Sequence, residues 1–285
     1  MNRLISSGYQ SRMSSRSVRE RLGLALAFVA FVLVVACQPT NFKPIEASTN
    51  QNLYEASLRA EKKGWWSLAA KGFEQLTFQL PARDPLLPLA FYHLGVAHEN
   101  SDEFILAAQA YSRVPENFPE DTLAALATFK AGICYSNLWK RPDLDPDYGT
   151  TAISTFQSFL AAYPDSPLHD SAQKEVDHLK DMFAQKNVET ADLYAKQHAW
   201  DSSIIYYKYV VVTYPETPSL KHALLGLVKA YRAIAYRDDA NDACAQLREK
   251  YGKDRDVRNT CGETPAPKAD SLATKPAPPA APAKP

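Results

Sequence analysis

The feature that most constrains this chain is a short phrase that recurs along it. Ala161-Ala162-Tyr163-Pro164-Asp165-Ser166-Pro167 and Val212-Thr213-Tyr214-Pro215-Glu216-Thr217-Pro218 share an aromatic-proline pair followed by an acid and a hydroxyl. Asn117-Phe118-Pro119-Glu120-Asp121 and Phe78-Gln79-Leu80-Pro81 are weaker copies. Proline cannot continue a helix and pushes the residue before it toward extended backbone, while Asp, Ser or Thr just beyond favours a new helix start. Each phrase therefore ends one helix and caps the next. Between the phrases, from about residue 50 to 252, apolar residues recur at three and four with almost no alternation, which predicts helix throughout.

Counting back from each proline with a period near ~34 residues tests for a structural repeat. Before Pro81 lie Phe73, Ala69, Gly64 and Ala60; before Pro119 lie Tyr111, Ala107, Gly95 and Phe91. Before Pro164 lie Phe156 and Ala152, with Tyr135 and Gly132 further back; before Pro215 lie Tyr207, Ser203, Tyr194 and Ala191. A degenerate fifth unit carries Tyr231, Ala240 and Leu247. Small residues at the eighth and twentieth places let the two helices of a unit approach closely, and aromatic residues fill the gaps that remain. The pattern resembles the tetratricopeptide repeat. That resemblance implies an all-α fold, a superhelix of about five tetratricopeptide (TPR) helix pairs with a concave groove.

The two ends of the chain are differently composed. Residues 1–21 hold Arg3, Arg12, Arg16, Arg19 and Arg21 against the single acid Glu20, and an apolar run from Leu22 to Ala36 follows. That run is shorter than the ~20 residues a membrane span needs. A basic head and a short apolar run ending at a small residue predict a secretory signal over residues 1–36. Val34-Val35-Ala36-Cys37 resembles the lipobox of bacterial lipoproteins, which implies a diacylglycerol on Cys37, cleavage before it and acylation of the new amino group. The membrane is then held through a lipid anchor rather than spanned. Gln38 follows, not the aspartate that tends to retain lipoproteins at the inner membrane, so the implied home is the outer membrane, on its periplasmic face. Residues 37–49 read as a tether and 50–252 as the repeat body. The stretch 253–285 reads as a disordered tail, since Glu263–Pro285 holds seven prolines and no aromatic residue.

Charge and chemistry exclude several functions. The 32 basic and 32 acidic side chains cancel, so the total carries no electrostatic case for nucleic acid. Removing residues 1–36 takes away five Arg and one Glu, leaving 27 basic and 31 acidic side chains. Neither GxGxxG nor GxxxxGK[ST] occurs, and there is no GxSxG. Asp143-x-Asp145-x-Asp147 begins like a calcium loop, but Tyr148 stands where glycine is required and Ser154 where the closing glutamate belongs. His93 and His98 do not make HExxH, and His169, His178, His198 and His222 fall on separate predicted helices. We expect no catalytic residues, no metal and no cofactor.

Two irregularities sharpen the resemblance. The third unit is eight residues longer between Tyr135 and Ala152 than the first is between Ala60 and Ala69, the extra residues including Arg141-Pro142-Asp143-Leu144-Asp145-Pro146-Asp147-Tyr148-Gly149. From about Pro167 to Gln197 no breaker occurs, which predicts a helix of nearly twice the usual length. With Phe159-Leu160-Ala161-Ala162-Tyr163-Pro164-Asp165-Ser166 and Ala191-Asp192-Leu193-Tyr194, the chain resembles the BamD family, the lipoprotein subunit of the outer-membrane β-barrel assembly machinery. This implies a scaffold that receives unfolded outer-membrane proteins and docks the barrel subunit, through its periplasmic domains, and accessory lipoproteins. Many family members carry a basic residue in the second helix of unit four, where this chain has Tyr206 and Tyr207 with Lys208 beside them. The other reading is a repeat lipoprotein of a different envelope machine, a secretin pilotin or a peptidoglycan-enzyme adaptor.

In repeats of this kind places 2, 5, 9 and 12 of each first helix face the groove. These are Gln51, Tyr54, Leu58 and Glu61, then Leu89, Tyr92, Val96 and Glu99, then Leu126, Phe129, Ile133 and Ser136. Tyr54, Leu58, Tyr92, Val96, Phe129 and Ile133 are the candidate peptide-binding residues, suited to an extended segment with alternating aromatic side chains. Packing between neighbouring units is the competing role for Tyr92 and Phe129. Among the cysteines, Cys134 reads as a buried small hydrophobe. A Cys244–Cys261 bridge would close a loop worth roughly 3 kcal/mol, yet Cys244 also occupies the inward place of Phe73, Tyr111, Phe156 and Tyr207, which suits a lone buried thiol.

Overall fold

The computed structural model describes residues 49–262. Every regular element among them is a helix: α1 (Asn50–Lys62), α2 (Trp66–Gln79), α3 (Leu86–Glu99), α4 (Phe104–Asn117), α5 (Leu123–Leu138), α6 (Asp147–Ala162), α7 (His169–Lys196), α8 (Trp200–Thr213), α9 (Leu220–Ala233), α10 (Arg237–Tyr251) and α11 (Arg255–Cys261). None of them is long and apolar enough to cross a membrane. The chain divides into two compact units, one ending at Gln79 and the other beginning at Leu80.

The first unit is the α1–α2 hairpin. Gly64 turns the chain at φ +71°, a backbone region that glycine enters without steric cost. Leu53, Ala60, Ala69, Phe73 and Leu76 are buried between the two helices. Contact is close because Gly72 lies against Ser57, where a Cβ would come within 2.0 Å of the hydroxyl oxygen. Buried Ser57 satisfies its own hydroxyl by donating to the Leu53 carbonyl at 2.8 Å.

The second unit pairs α3 with α4, α5 with α6, α7 with α8 and α9 with α10, and each helix packs on the next in sequence. The aromatic-proline stops act as the sequence predicts. Phe118, Tyr163 and Tyr214 each donate their N–H to a carbonyl four residues back, at 2.8, 2.9 and 2.8 Å, and then leave helical geometry ahead of the proline. The expected capping takes another form: just ahead of the new helices Asp121 accepts from the Leu123 N–H at 2.8 Å and Ser166 from that of Leu168 at 3.3 Å, whereas the N-cap residues Thr122, Leu168 and Ser219 make no side-chain cap. Close approach inside the α3–α4 and α5–α6 pairs rests on glycine again. A Cβ at Gly95 would stand 2.6 Å from the Tyr111 ring, and one at Gly132 would stand 2.7 Å from the Phe156 ring.

Helix α7 runs for 28 residues, the long unbroken helix expected between Pro167 and Gln197. At ~1.5 Å per residue it is roughly 42 Å long, and it serves two cores. Val176, Leu179 and Met182 pack with Trp139, Phe156 and Phe159, whereas Ala184, Val188 and Ala191 pack with α8–α11. The insertion between α5 and α6 is tied to this helix. Lys186 on α7 donates to the carbonyls of Pro142 and Leu144 at 3.0 and 2.9 Å, and buried Trp139 reaches the Leu144 carbonyl at 3.4 Å. The end of the insertion, Asp147 to Gly149, is already the first turn of α6, with Gly149 pressed against the Trp139 ring.

The carboxyl-terminal boundary needs a correction. Residues 255–261, which the sequence reading assigned to the tail, form α11. Asp254 starts this helix by accepting from the Asp256 N–H at 2.8 Å, and it also pairs with Lys221 of α9 at 2.8 Å. Val257 and Cys261, four residues apart, bury one face against the α9–α10 pair. Seven residues, just under ~2 turns, carry too little periodicity to stand out in sequence. The helix forms because the α9–α10 pair has an apolar flank that no further pair among the described residues covers.

Candidate functional site

In the first unit, Tyr54 is almost fully buried, with its ring edge-on to Phe73 at 5.9 Å, and Leu58 is half-buried. In the second unit, Tyr92 and Val96 on α3 and Phe129 and Ile133 on α5 are all half-buried. Part of each aromatic ring is used for packing within its own pair. Tyr92 lies 5.5 Å from Tyr111, and Phe129 lies 5.7 and 5.8 Å from Phe156 and Phe159. Such T-shaped and tilted contacts hold a ring rigidly, and what stays exposed is the remainder of each ring. The chemistry left to these positions is apolar contact.

Beside them is a polar network that the sequence reading missed. Glu99, one turn on from Val96, accepts from the Tyr111 hydroxyl at 2.6 Å and pairs with Lys130 at 3.0 Å. Lys130 follows Phe129 on α5, so this ion pair ties the two candidate helices side by side. Both side chains are mostly shielded, at 33% and 19% exposure, which sets the pair apart from ordinary surface ion pairs. Burial first, and then the hydrogen bond to Glu99, pushes the Tyr111 hydroxyl well above its ordinary range. Burial likewise pushes the neighbouring Cys134 thiol up to about 12, with Glu99 adding to the shift and Lys130 opposing it.

The same arrangement recurs further along. Tyr207 of α8 donates to Asp192 of α7, and Asp192 lies 3.1 Å from the Nε2 of His222 on α9. In both places a second-helix tyrosine meets a carboxylate on the first helix of its own pair, which in turn meets a basic side chain on the next first helix. The signal was present in the sequence. Tyr111 and Tyr207 stand where Phe73 and Phe156 stand in other units, and only a hydroxyl there calls for an acid nearby.

The remaining candidates are placed as follows. Cys37 and the signal segment lie outside the described residues. Cys244 and Cys261 are disulfide-bonded, with Cα atoms 5.5 Å apart, and Cys134 is a buried free thiol. In the insertion Asp143 pairs with Arg141 at 3.0 Å, and Asp145 accepts from the Asp147 N–H at 3.0 Å. Among the described residues no three His, Cys, Asp or Glu side chains converge as metal ligands.

Comparison with known proteins gives one consistent result. The sequence model of the YfiO family, described as outer membrane lipoprotein, matches residues 46–247. The outer membrane protein assembly factor BamD of Xylella fastidiosa (strain Temecula1) is 24% identical over 233 residues, covering 77% of this chain and 78% of that protein. The outer membrane protein assembly factor BamD of Vibrio cholerae is 25% identical over 199 residues, covering 65% of this chain and 81% of that protein. Among solved structures, the TPR2AB domain of yeast Sti1 in its pHSP90 complex covers 75% of this chain and 82% of that one, at 13% identity and a TM-score of 0.41.

Proposed function

The chain belongs to the YfiO family of outer membrane lipoproteins, and from that premise we propose that it is a non-enzymatic scaffold for the assembly of outer-membrane β-barrels. In this reading Cys37 carries the lipid that holds the protein on the periplasmic face of the outer membrane. The half-buried apolar residues of successive first helices receive segments of unfolded outer-membrane proteins. Partner subunits, the barrel subunit and accessory lipoproteins, dock on the later pairs.

The observation that carries this reading is the family match over residues 46–247, which runs through all but the last few residues of the five helix pairs, joined to the relatives' assembly-factor role. Physical support comes from the candidate positions themselves. Tyr92 and Phe129 are rigid rings on neighbouring helices, fixed by Tyr111 and by Phe156 and Phe159, and a rigid ring loses little entropy when a ligand binds it. Nascent barrel strands alternate apolar and polar side chains with aromatic residues near both ends, so an extended strand would offer its apolar side to such a row.

Affinity purification of the lipidated protein from membranes tests the scaffold role. Co-purification of a large barrel protein bearing periplasmic domains is expected; recovery instead of a secretin or a peptidoglycan enzyme would replace this reading. Cys37→Ser is expected to leave the precursor uncleaved and unlabelled by palmitate analogues. Unchanged labelling would end the lipoprotein assignment.

A further inference from the structure

Between α8 and α10, over α9, lies an open groove of about 240 Å³. Its floor is apolar, formed by Val211, Leu224, Leu227 and the edge of Tyr231, and Val212 on its wall is 77% exposed. One rim, on α10, carries Asp239 and Asp242; the other carries Lys208. Both aspartates are exposed, and neither has an ion-pair partner among the described residues. A shallow apolar trough with an acidic rim fits a narrow, extended, lysine-bearing segment.

The chain itself holds such a segment. Residues 263–285 contain seven prolines, and 271–285 (Ser-Leu-Ala-Thr-Lys-Pro-Ala-Pro-Pro-Ala-Ala-Pro-Ala-Lys-Pro) carry Lys275 and Lys284 with no acidic side chain. Proline-rich sequence favours the polyproline II conformation, which is ordered before it binds and therefore loses little entropy on docking into an apolar groove. The start of the segment is fixed close by. The Cα of Cys261 is 5.5 Å from that of Cys244, and Cys244 is the neighbour of Ala243, a groove residue. With ~3.8 Å between consecutive Cα atoms, the segment leaves the body within about 10 Å of the groove backbone. Arg232 holds the Thr260 carbonyl at 2.8 Å and Arg248 holds that of Cys261, and Gly262 then turns the chain at φ +76°. The 263–285 stretch spans up to about 70 Å as polyproline II at ~3.1 Å per residue, ample to round α10. Tethering at this distance gives an effective concentration on the order of millimolar, so weak contacts suffice.

We propose that the Pro/Ala-rich carboxyl-terminal segment folds back into the groove between α8 and α10, its prolines on Val211, Val212, Leu227 and Tyr231 and its lysines against Asp239 and Asp242. This inference is independent of the lipid anchor and of what the first helices bind. The segment thereby covers the apolar groove next to the last helix pair.

The test is a photo-crosslinker placed at Val212 in the full chain, with Ile105, an exposed residue on α4, as the control position. Mass spectrometry of the products is expected to map the Val212 crosslink to residues 263–285, at a yield that does not depend on protein concentration, and to find no such product from Ile105. Lys275→Gln combined with Lys284→Gln, changes outside the folded body, is expected to lower the yield at least about threefold, the worth of two exposed ion pairs. Asp239→Asn with Asp242→Asn should lower it similarly with an unchanged circular dichroism spectrum. A Val212 crosslink that maps elsewhere in the chain, to a second copy or to another protein would overturn the proposal. Equal yields from Val212 and Ile105, or a tail crosslink indifferent to the lysines, would do the same.

Discussion

Replacing Gly132 by Ala sets two effects of opposite sign against each other, and the structure says which one wins. Gly132 lies inside α5, and helix propensity alone would make alanine there stabilising by about 1 kcal/mol. Its added Cβ would, however, stand 2.7 Å from Cε1 and 2.8 Å from Cζ of Phe156, closer than any real Cβ contact. The ring has nowhere to go. Phe156 is fully buried, with Phe129 on one side at 5.7 Å and Ala152 and Phe159 buried in the same core. Overpacking costs about 1–3 kcal/mol, and a ring that cannot move places this case in the upper part of that range, about 2–3 kcal/mol, so the net effect should be a loss of roughly 1–2 kcal/mol once the propensity gain is subtracted. For a chain of this size each kcal/mol lowers Tm by about 2–4 °C. Urea denaturation followed by circular dichroism, with Gly132→Ala, Phe156→Leu and the double variant, isolates the clash. Shortening the ring should relieve it, giving a coupling of about 1 kcal/mol or more between the two sites. Because Phe156 supports Phe129, Gly132→Ala should also weaken peptide binding at the candidate face. Gly132→Ala as stable as the parent, or more so, would show that propensity governs this position and that the helices can separate freely.

Four further outcomes are expected. Tyr92→Ala with Phe129→Ala should weaken binding of a carboxyl-terminal barrel-strand peptide by about 2 kcal/mol or more, read by fluorescence anisotropy; full affinity in a folded double variant would assign both rings to packing alone. Glu99→Ala should destabilise by about 1–3 kcal/mol, because it leaves the buried Tyr111 hydroxyl without an acceptor, and Tyr111→Phe in the same background should recover part of that loss in urea melts. The Cys134 thiol, pushed up to about 12 mainly by burial, should resist iodoacetamide in the native protein at pH 8 and react only after denaturation, as peptide mass spectrometry would report. The hydrogen bond from Lys221, followed by that from the Asp256 N–H, holds the Asp254 carboxyl below its ordinary value. The stability this group lends α11 is therefore complete above ~3.9 and fades as pH falls through its lower folded value. Hydrogen exchange of α11, corrected for intrinsic rates, should accelerate only in acid below pH ~4.

Much of this molecule is local and therefore legible from sequence. The stops at Phe118, Tyr163 and Tyr214 act through proline's missing N–H and the conformational bias it imposes on its neighbour, so they need no tertiary context. The small places at Gly95 and Gly132 and the large ones at Tyr111 and Phe156 meet because a repeat fixes where each sits on its helix. The unbroken stretch that became α7 was visible for the same reason, since nothing in it ends a helix. What sequence could not decide is which side chains meet across helices far apart in the chain. Lys130 lies 31 residues from Glu99, and Lys186 lies 44 from Pro142, so both contacts depend on how one pair is rotated against the next. The same rotation determined how much of Tyr92 and Phe129 stays exposed, which periodicity alone left open between groove and packing. It also created α11, whose two buried residues gain a partner only because the α9–α10 pair presents an uncovered apolar flank. Hydrophobic period fixes the face a residue occupies, but only the packed neighbour fixes whether that face is core, contact surface or cap.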